Sequence, residues 1–395
     1  MLRNNRGYTI TELIVVMGIF IAVMLVTSSG FKTVLTQVGQ QSKLMETDIG
    51  SVVGLEVFRS DLQTAGYGLP WSFQSTPAAA NYTEVTTSDD TMPVGASFWE
   101  SGKSPRSFND AGTGTGVPRA VQSGDTAFNK SGTVGSKYLV VKSLTVHPNA
   151  TAKKWVTVNY GDAGKSVSDW NNGDRDFPST DTSPEKVMVV RNVFLDGIPS
   201  RQLQVDSSGS YSTIFKHYTT LTLPHSSGDV FQVYGVNNSG SLRMPFNRAD
   251  YYVRRPDNPP PACAPKTGVL YKAVLNQGSP GFTETSLLDC VADMQVVYGL
   301  GPLGSAEVNL HQTAAPASAQ EIREQLKEIR VYILAHTGKK DTGYKHPNSV
   351  VAVGEDFGGG VLGRSFDLAN LIGTGWDNYR WKVYTIVVRP QNLIQ

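Results

Sequence analysis

Six histidines, two cysteines and one acidic loop are the residues of this 395-residue chain whose types could do chemistry. The histidines, His147, His217, His225, His311, His336 and His346, are scattered. None belongs to an H-E-x-x-H zinc pair, and no G-x-S-x-G elbow offers a nucleophile. They read as surface or structural residues. Gly161-Asp162-Ala163-Gly164-Lys165-Ser166 has the lysine and serine of a phosphate-binding loop, but its glycines are three apart instead of five, with Asn159 where the first should stand. In Asp169-Trp170-Asn171-Asn172-Gly173-Asp174-Arg175-Asp176, the oxygens of Asp169, Asn171, Asp174 and Asp176 fall at near-alternate positions beside a glycine. These are the candidate ligands for calcium, which takes about six to eight oxygens. The run lacks the distal glutamate of an EF-hand and contains Arg175, so a solvated turn is the plainer reading.

Cys263 follows three prolines and Ala262, and Cys290 lies in an apolar stretch 27 positions further on. Neither a C-x-x-C redox motif nor a haem-attachment motif fits. Two cysteines are too few for a disulfide scaffold. One bridge between them, in an oxidising compartment, is the expectation, with two reduced thiols the alternative. Lys and Arg total 35 against 34 Asp and Glu, a formal charge of +1, with no basic patch. Phosphate backbones need a concentrated basic face, so no nucleic-acid partner is expected. With no catalytic constellation, no enzymatic activity is expected, and no cofactor apart from the calcium candidate.

The elements that would position these residues begin at an unusual N-terminus. A basic leader, MLRNNRG, precedes a polar YTITE patch and the apolar run LIVVMGIFIAVMLVT. Residues 8–27 as a helix rise roughly 30 Å, the thickness of a bilayer's hydrocarbon core. Arg3 and Arg6 precede the span without an acid beside them, which keeps the N-terminus cytoplasmic and sends residues 28–395 outward. An ordinary secretory signal would need a small-residue cleavage site after the apolar run, and Val26-Thr27-Ser28 is a poor one. Neither that reading nor a plain anchor explains Glu12, an ionisable group at the mouth of the span, where burial is costly without a partner.

Gly7-Tyr8-Thr9-Ile10-Thr11-Glu12-Leu13 resembles the prepilin motif, with Tyr8 in place of the commoner phenylalanine and Thr11 in place of an aliphatic residue. The resemblance implies cleavage after Gly7 by a membrane prepilin peptidase and N-methylation of Tyr8. It also implies that Glu12 neutralises the N-terminal ammonium of a neighbouring subunit in a filament. Beyond the span the apolar residues recur in steps of three and four, from Phe31 to Leu62, and no proline interrupts residues 1–69. This pattern predicts one helix over 8–64, stopped by Gly66, Gly68 and Pro70.

Downstream, β-branched and aromatic runs predict strands at 137–146, 155–160, 186–194, 218–223, 230–236, 268–275, 295–298, 329–336 and 380–388, with a short helix at 319–325. The AGYG after the helix, the stretch LLDCVADMQVVYG and the closing VRPQN resemble the PilW-like (J-type) minor pilins. The fold so implied is α+β and pilin-like: a long N-terminal helix, its first half in the membrane, packed on a β-rich antiparallel head. The implied layout is a leader at 1–7, the helix at 8–64, a variable part of the head at 65–224 and a C-terminal part at 225–395. The implied role is a non-catalytic minor pilin that primes a type IV pilus or sits near its tip. Its partners would be prepilin peptidase, other minor pilins, the major pilin, an inner-membrane assembly platform and a tip adhesin. It would wait in the bacterial inner membrane with the head periplasmic and reach the cell surface in the pilus. The alternatives are a J-type pseudopilin of type II secretion and a tip-displayed binding module that uses residues 71–224.

Overall fold

The computed structural model describes residues 9–73, 82–89, 98–99, 102–112, 115–168, 177–195 and 198–393. Gly7, Tyr8 and the whole acidic loop with Asp169, Asn171, Asp174 and Asp176 lie outside the described residues. The chain divides into two compact units, 1–50 and 51–395. Helix α1 runs Ile10–Gln63. Gly66 and Gly68, with φ of +80° and +71°, then take left-handed conformations that a side chain would disfavour. The last turns of α1 belong to the larger unit and bury Gly54, Phe58, Asp61 and Leu62, residues spaced to share one face. Phe58 stacks on Tyr251 at 4.3 Å between ring centroids. Gly54 is required by contact: a Cβ there would lie 2.0 Å from the Leu287 carbonyl oxygen.

Seventeen strands are found among the described residues. They begin with β1 (Ser72–Phe73), β2 (Val121–Asp125), β3 (Lys137–Ser143), β4 (Trp155–Gly161), β5 (Gly164–Ser168) and β6 (Lys186–Leu195). Next come β7 (Ile198–Leu203), β8 (Thr213–Ile214), β9 (Val230–Asn237), β10 (Asn247–Arg254), β11 (Gly268–Leu275) and β12 (Phe282–Leu300). The last are β13 (Leu310–Gln312), β14 (Leu326–Thr337), β15 (Val350–Asp356), β16 (Val361–Asp367) and β17 (Arg380–Val388). Two short helices, α2 (Ala319–Gln325) and α3 (Leu368–Leu371), complete the set.

The larger sheet has the order β17-β14-β12-β11-β10-β3-β2, with β13 attached to β12. The smaller has the order β1-β7-β6-β9-β4-β5, with β8 attached to β6, and β15-β16 stand as a hairpin. All pairs are antiparallel except β1 with β7. The sheets interleave across residue 224 instead of dividing there, because β2 and β3 join the larger sheet and β9 joins the smaller. The main core lies between the end of α1 and the larger sheet, where Phe58, Leu62, Tyr251, Val291, Met294 and Val331 are buried together. Fully burying an aliphatic or aromatic side chain contributes roughly 1.5–3 kcal/mol, so Phe58 and Leu62 hold the helix end to the sheet by burial.

One expected strand is overturned. Of the expected strand 218–223, residues 218–222 fall in a 3-10 segment, Phe215–Thr222, that buries Phe215, Tyr218 and Leu221. Its Tyr, Thr and Leu content suits a strand, but the three-residue spacing of the large apolar groups matches the three-residue turn of a 3-10 helix.

Candidate functional site

In the smaller unit, residues Ile10–Lys32 form a helix long and apolar enough to cross a membrane, with a mean hydropathy of 2.5 and none of it buried. The span continues past Thr27 because the polar residues that follow are satisfied within the helix. Thr27 donates to the Val23 carbonyl at 2.8 Å and Ser29 to the Val26 carbonyl at 2.8 Å. Glu12 has an intrachain role that its position alone does not reveal. Its carboxylate accepts from the backbone N–H of Thr9 at 2.9 Å and from the Thr9 hydroxyl at 3.0 Å, while Glu12 N–H donates to that hydroxyl at 3.3 Å. This reciprocal pair is a capping box, and the T-x-x-E signature at Thr9-Ile10-Thr11-Glu12 carries it in the sequence.

In the head, the end of α1 is locked by charge as well as by packing. Tyr251 and Lys272 face each other across β10 and β11. Both donate to the Asp61 carboxylate, which is 6% exposed. Burial pushes this carboxyl above its usual range against the pull of Lys272 and of the Tyr251 hydroxyl.

A larger network fastens the largely irregular stretches 82–89, 105–112 and 115–119 to β3 and β10. Glu84 accepts from Lys142 at 2.6 Å and from the backbone N–H of Asp110, also at 2.6 Å. Asp110 accepts from Lys142, from Arg119 Nε at 2.6 Å and from Gln122 at 3.0 Å. Arg248 grips Asp250 with two bonds of 2.8 Å and reaches Asn109 and the Pro105 carbonyl, each at 2.9 Å. Three cations (Lys142, Arg119, Arg248) balance three carboxylates (Glu84, Asp110, Asp250).

Cys263 and Cys290 form a disulfide with Cα atoms 4.8 Å apart. Cys290 takes a left-handed φ of +58° where β12 loses register with its neighbours, so the bridge ties the proline-rich loop to the break in the longest strand. The closed loop has a sequence separation of 27. Replacing both cysteines by serine is expected to cost about 3–4 kcal/mol on the chain-entropy scale. Urea unfolding checks this, and a change under about 1 kcal/mol would contradict it.

Beside the bridge, His336 is 2% exposed and its Nε2 accepts from the Ala264 N–H at 2.8 Å. Burial pushes the imidazole down to about 4, with the backbone at Thr337 and Gly338 opposing. The unfolded chain therefore takes up a proton near pH 6.5 that the folded chain refuses until about pH 4. Stability is full above pH 6.5 and falls by about 3 kcal/mol as the pH drops to 4. His336→Gln should flatten that part of the stability curve, and an unchanged slope would refute the assignment.

The other sequence candidates stay apart. Gly161 to Gly164 is the turn of the β4–β5 hairpin, and Lys165 donates to the Tyr218 hydroxyl at 2.6 Å while lying 4.9 Å from its ring centroid, so no phosphate cradle forms. His225 stacks on Tyr160, His311 on Phe357, and His217 pairs with Asp181. Among the described residues no group of three or more His, Cys, Asp or Glu is placed to hold a metal. The head also carries an open cleft of about 480 Å³ walled by Trp99 and Phe108, with Lys103, Arg119, Gln122, Asp125 and Lys137 along it. Nothing in the sequence marks this cleft, because its lining comes from four separated segments.

No protein-family model matches the chain, and no curated protein matches it. Among solved structures, a type IV-like pilin from Thermus thermophilus shares 15% identity over 38% of this chain and 67% of its own length, with a TM-score of 0.24. That similarity is too slight to bear on fold or function.

Proposed function

We propose that this chain is a membrane-anchored, non-catalytic subunit of a type IV pilus-like filament, of the minor-pilin kind and closest to the PilW-like (J-type) pattern. One observation carries the reading: a bare apolar helix of 23 residues, with Glu12 in its first turn, joined in sequence to a β-rich head. An apolar surface of that extent needs lipid or other helices around it. A filament supplies the second once the subunit leaves the first. Prepilin peptidase would cut after Gly7 and methylate Tyr8, and sibling minor pilins, the major pilin and the assembly platform would be the partners. The capping box holds the Glu12 carboxylate at the helix start, where a neighbour's ammonium would meet it.

Intact-mass analysis after co-expression with a prepilin peptidase tests the reading. The expected product begins at methylated Tyr8, and Gly7→Glu leaves the full precursor. A terminus elsewhere, or an uncut wild-type chain, would sink it. A J-type pseudopilin would pass the same test, and the filament in which the subunit is found separates the two. A second reading, a tip-displayed binding module, is favoured by the cleft at Trp99, whose volume falls in the range of about 300–1,000 Å³ usual for ligand sites.

A further inference from the structure

Seven described arginines of the head besides Arg201 and Arg323 are buried or half-buried, and each is paired to a carboxylate; Arg119, Arg191, Arg248 and Arg364 are examples. Arg201 and Arg323 are half-buried and have no carboxylate or carbonyl partner among the described residues. Both instead lie against one indole. The guanidinium carbon of Arg201 is 4.6 Å from the centroid of Trp71, and that of Arg323 is 4.9 Å.

The backbone fixes this grouping. Trp71 N–H donates to the Arg201 carbonyl at 2.8 Å, and the parallel β1–β7 pairing continues from it. Arg323 comes from α2, whose start is held by a capping box between Ser318 and Glu321. Half-buried cations are ordinarily paired, because desolvation penalises an unmatched charge. Here a second cation stands nearby: burial weakens the hold of Arg323 on its proton, the adjacent Glu324 opposes this in part, and Arg201 adds to it. The adjacent Glu324 carboxylate is engaged by Gln320 at 2.9 Å. Each guanidinium lies over the indole ring and, with no bond to a carboxylate or carbonyl among the described residues, keeps N–H groups for an acceptor. Two guanidinium forks match the several charged oxygens of a phosphate better than a single neutral acceptor.

We propose that Arg201, Trp71 and Arg323 form a binding site for a phosphate group. The group could be free phosphate or the diester of a lipid headgroup, and the chemistry of recognition is the same. The site bridges the smaller sheet and the segment leading into β14, so an occupant would link the two parts of the head.

The test is calorimetric titration of the full-length protein in a non-ionic detergent at constant ionic strength, with inorganic phosphate in one arm and glycerophosphoglycerol in the other. Saturable binding is expected in at least one arm. A tighter response to the diester points to a lipid headgroup, and a tighter response to phosphate points to the free anion. Arg201→Gln and Arg323→Gln should each weaken binding roughly tenfold or more, as expected for losing charge-assisted hydrogen bonds. Arg323→Lys, which keeps charge and stem but loses the fork, should bind with intermediate strength and guards against a folding defect in the glutamine variant. Heat that never saturates, or equal affinity in wild type and both glutamine variants, overturns the proposal. So does tighter binding of hexaglutamate than of either phosphate probe, which would assign the site to a protein carboxylate.

Discussion

Arg248→Leu is expected to cost about 3–5 kcal/mol, the usual penalty for removing one partner of a buried ion pair. Arg248 is fully buried, and its removal strands Asp250 and takes one of two cations from Glu84. It also leaves the Pro105 carbonyl without that donor. Domain stabilities are of order 5–15 kcal/mol, so much of the total is at stake. The damage should be local at first. Stretches 82–89, 105–112 and 115–119 have few backbone ladder bonds of their own and depend on these side chains. Urea unfolding of the full chain in detergent gives the magnitude, and hydrogen exchange should show early opening of 105–112. Arg248→Leu combined with Asp250→Asn should recover part of the loss, because the stranded charge is gone. A single-variant cost under about 1 kcal/mol, or no recovery in the pair, would mean that the network is not energetically coupled.

Lys272→Met is expected to cost a similar 3–5 kcal/mol at neutral pH, with a distinctive pH dependence. Lys272 supplies the main pull that lowers the carboxyl of Asp61, whose folded-state value burial already raises. Without it the carboxyl rises further. A group whose folded value lies above its unfolded value favours the folded state in its protonated form, so the penalty should shrink as the pH falls from 7 toward 4. His336 is present in both proteins, so the stability it loses over that range cancels in the difference between them. Stability measured at pH 7 and pH 5 for both proteins decides the matter. A penalty that does not shrink with acid would show that Asp61 does not carry it. The loss would fall on the docking of α1, since Asp61 is the one carboxylate that its buried face presents among the described residues of the head.

What was legible beforehand follows from how local each signal is. Strands Gly268–Leu275 and Arg380–Val388 and helix Ala319–Gln325 appear where the sequence places them, because β-branched density and the Ser318–Glu321 capping box act over a few residues. Strand Asn247–Arg254 escapes a pattern reading: Asn247, Arg248 and Asp250 look exposed, yet all three are buried and have distant partners at Leu144, Pro105 and Tyr138. Glu84 and Arg248 are 164 positions apart, and no local rule connects them. The β15–β16 hairpin is hidden by glycines, two of which, Gly354 and Gly363, are needed where the strands press closest. At the N-terminus the prepilin resemblance implies an intermolecular partner for Glu12, and the T-x-x-E spacing encodes the cap that Thr9 makes with it. The unpaired arginines at Trp71 had no sequence signal, because a missing partner is visible only in three dimensions.

The way α1 ends has a mechanical side. Directly after the helix, Gly66 N–H donates to the Lys142 carbonyl and Tyr67 accepts from Leu144 N–H, each at 3.0 Å, while Gln391 N–H donates to the Gln63 carbonyl at 3.1 Å. A tug on the last turn of α1 is thus shared between β3 and the tail of β17, near opposite margins of the larger sheet, and is backed by the Asp61 lock on β10 and β11. Tension on the helix would be spread across the sheet instead of peeling one strand.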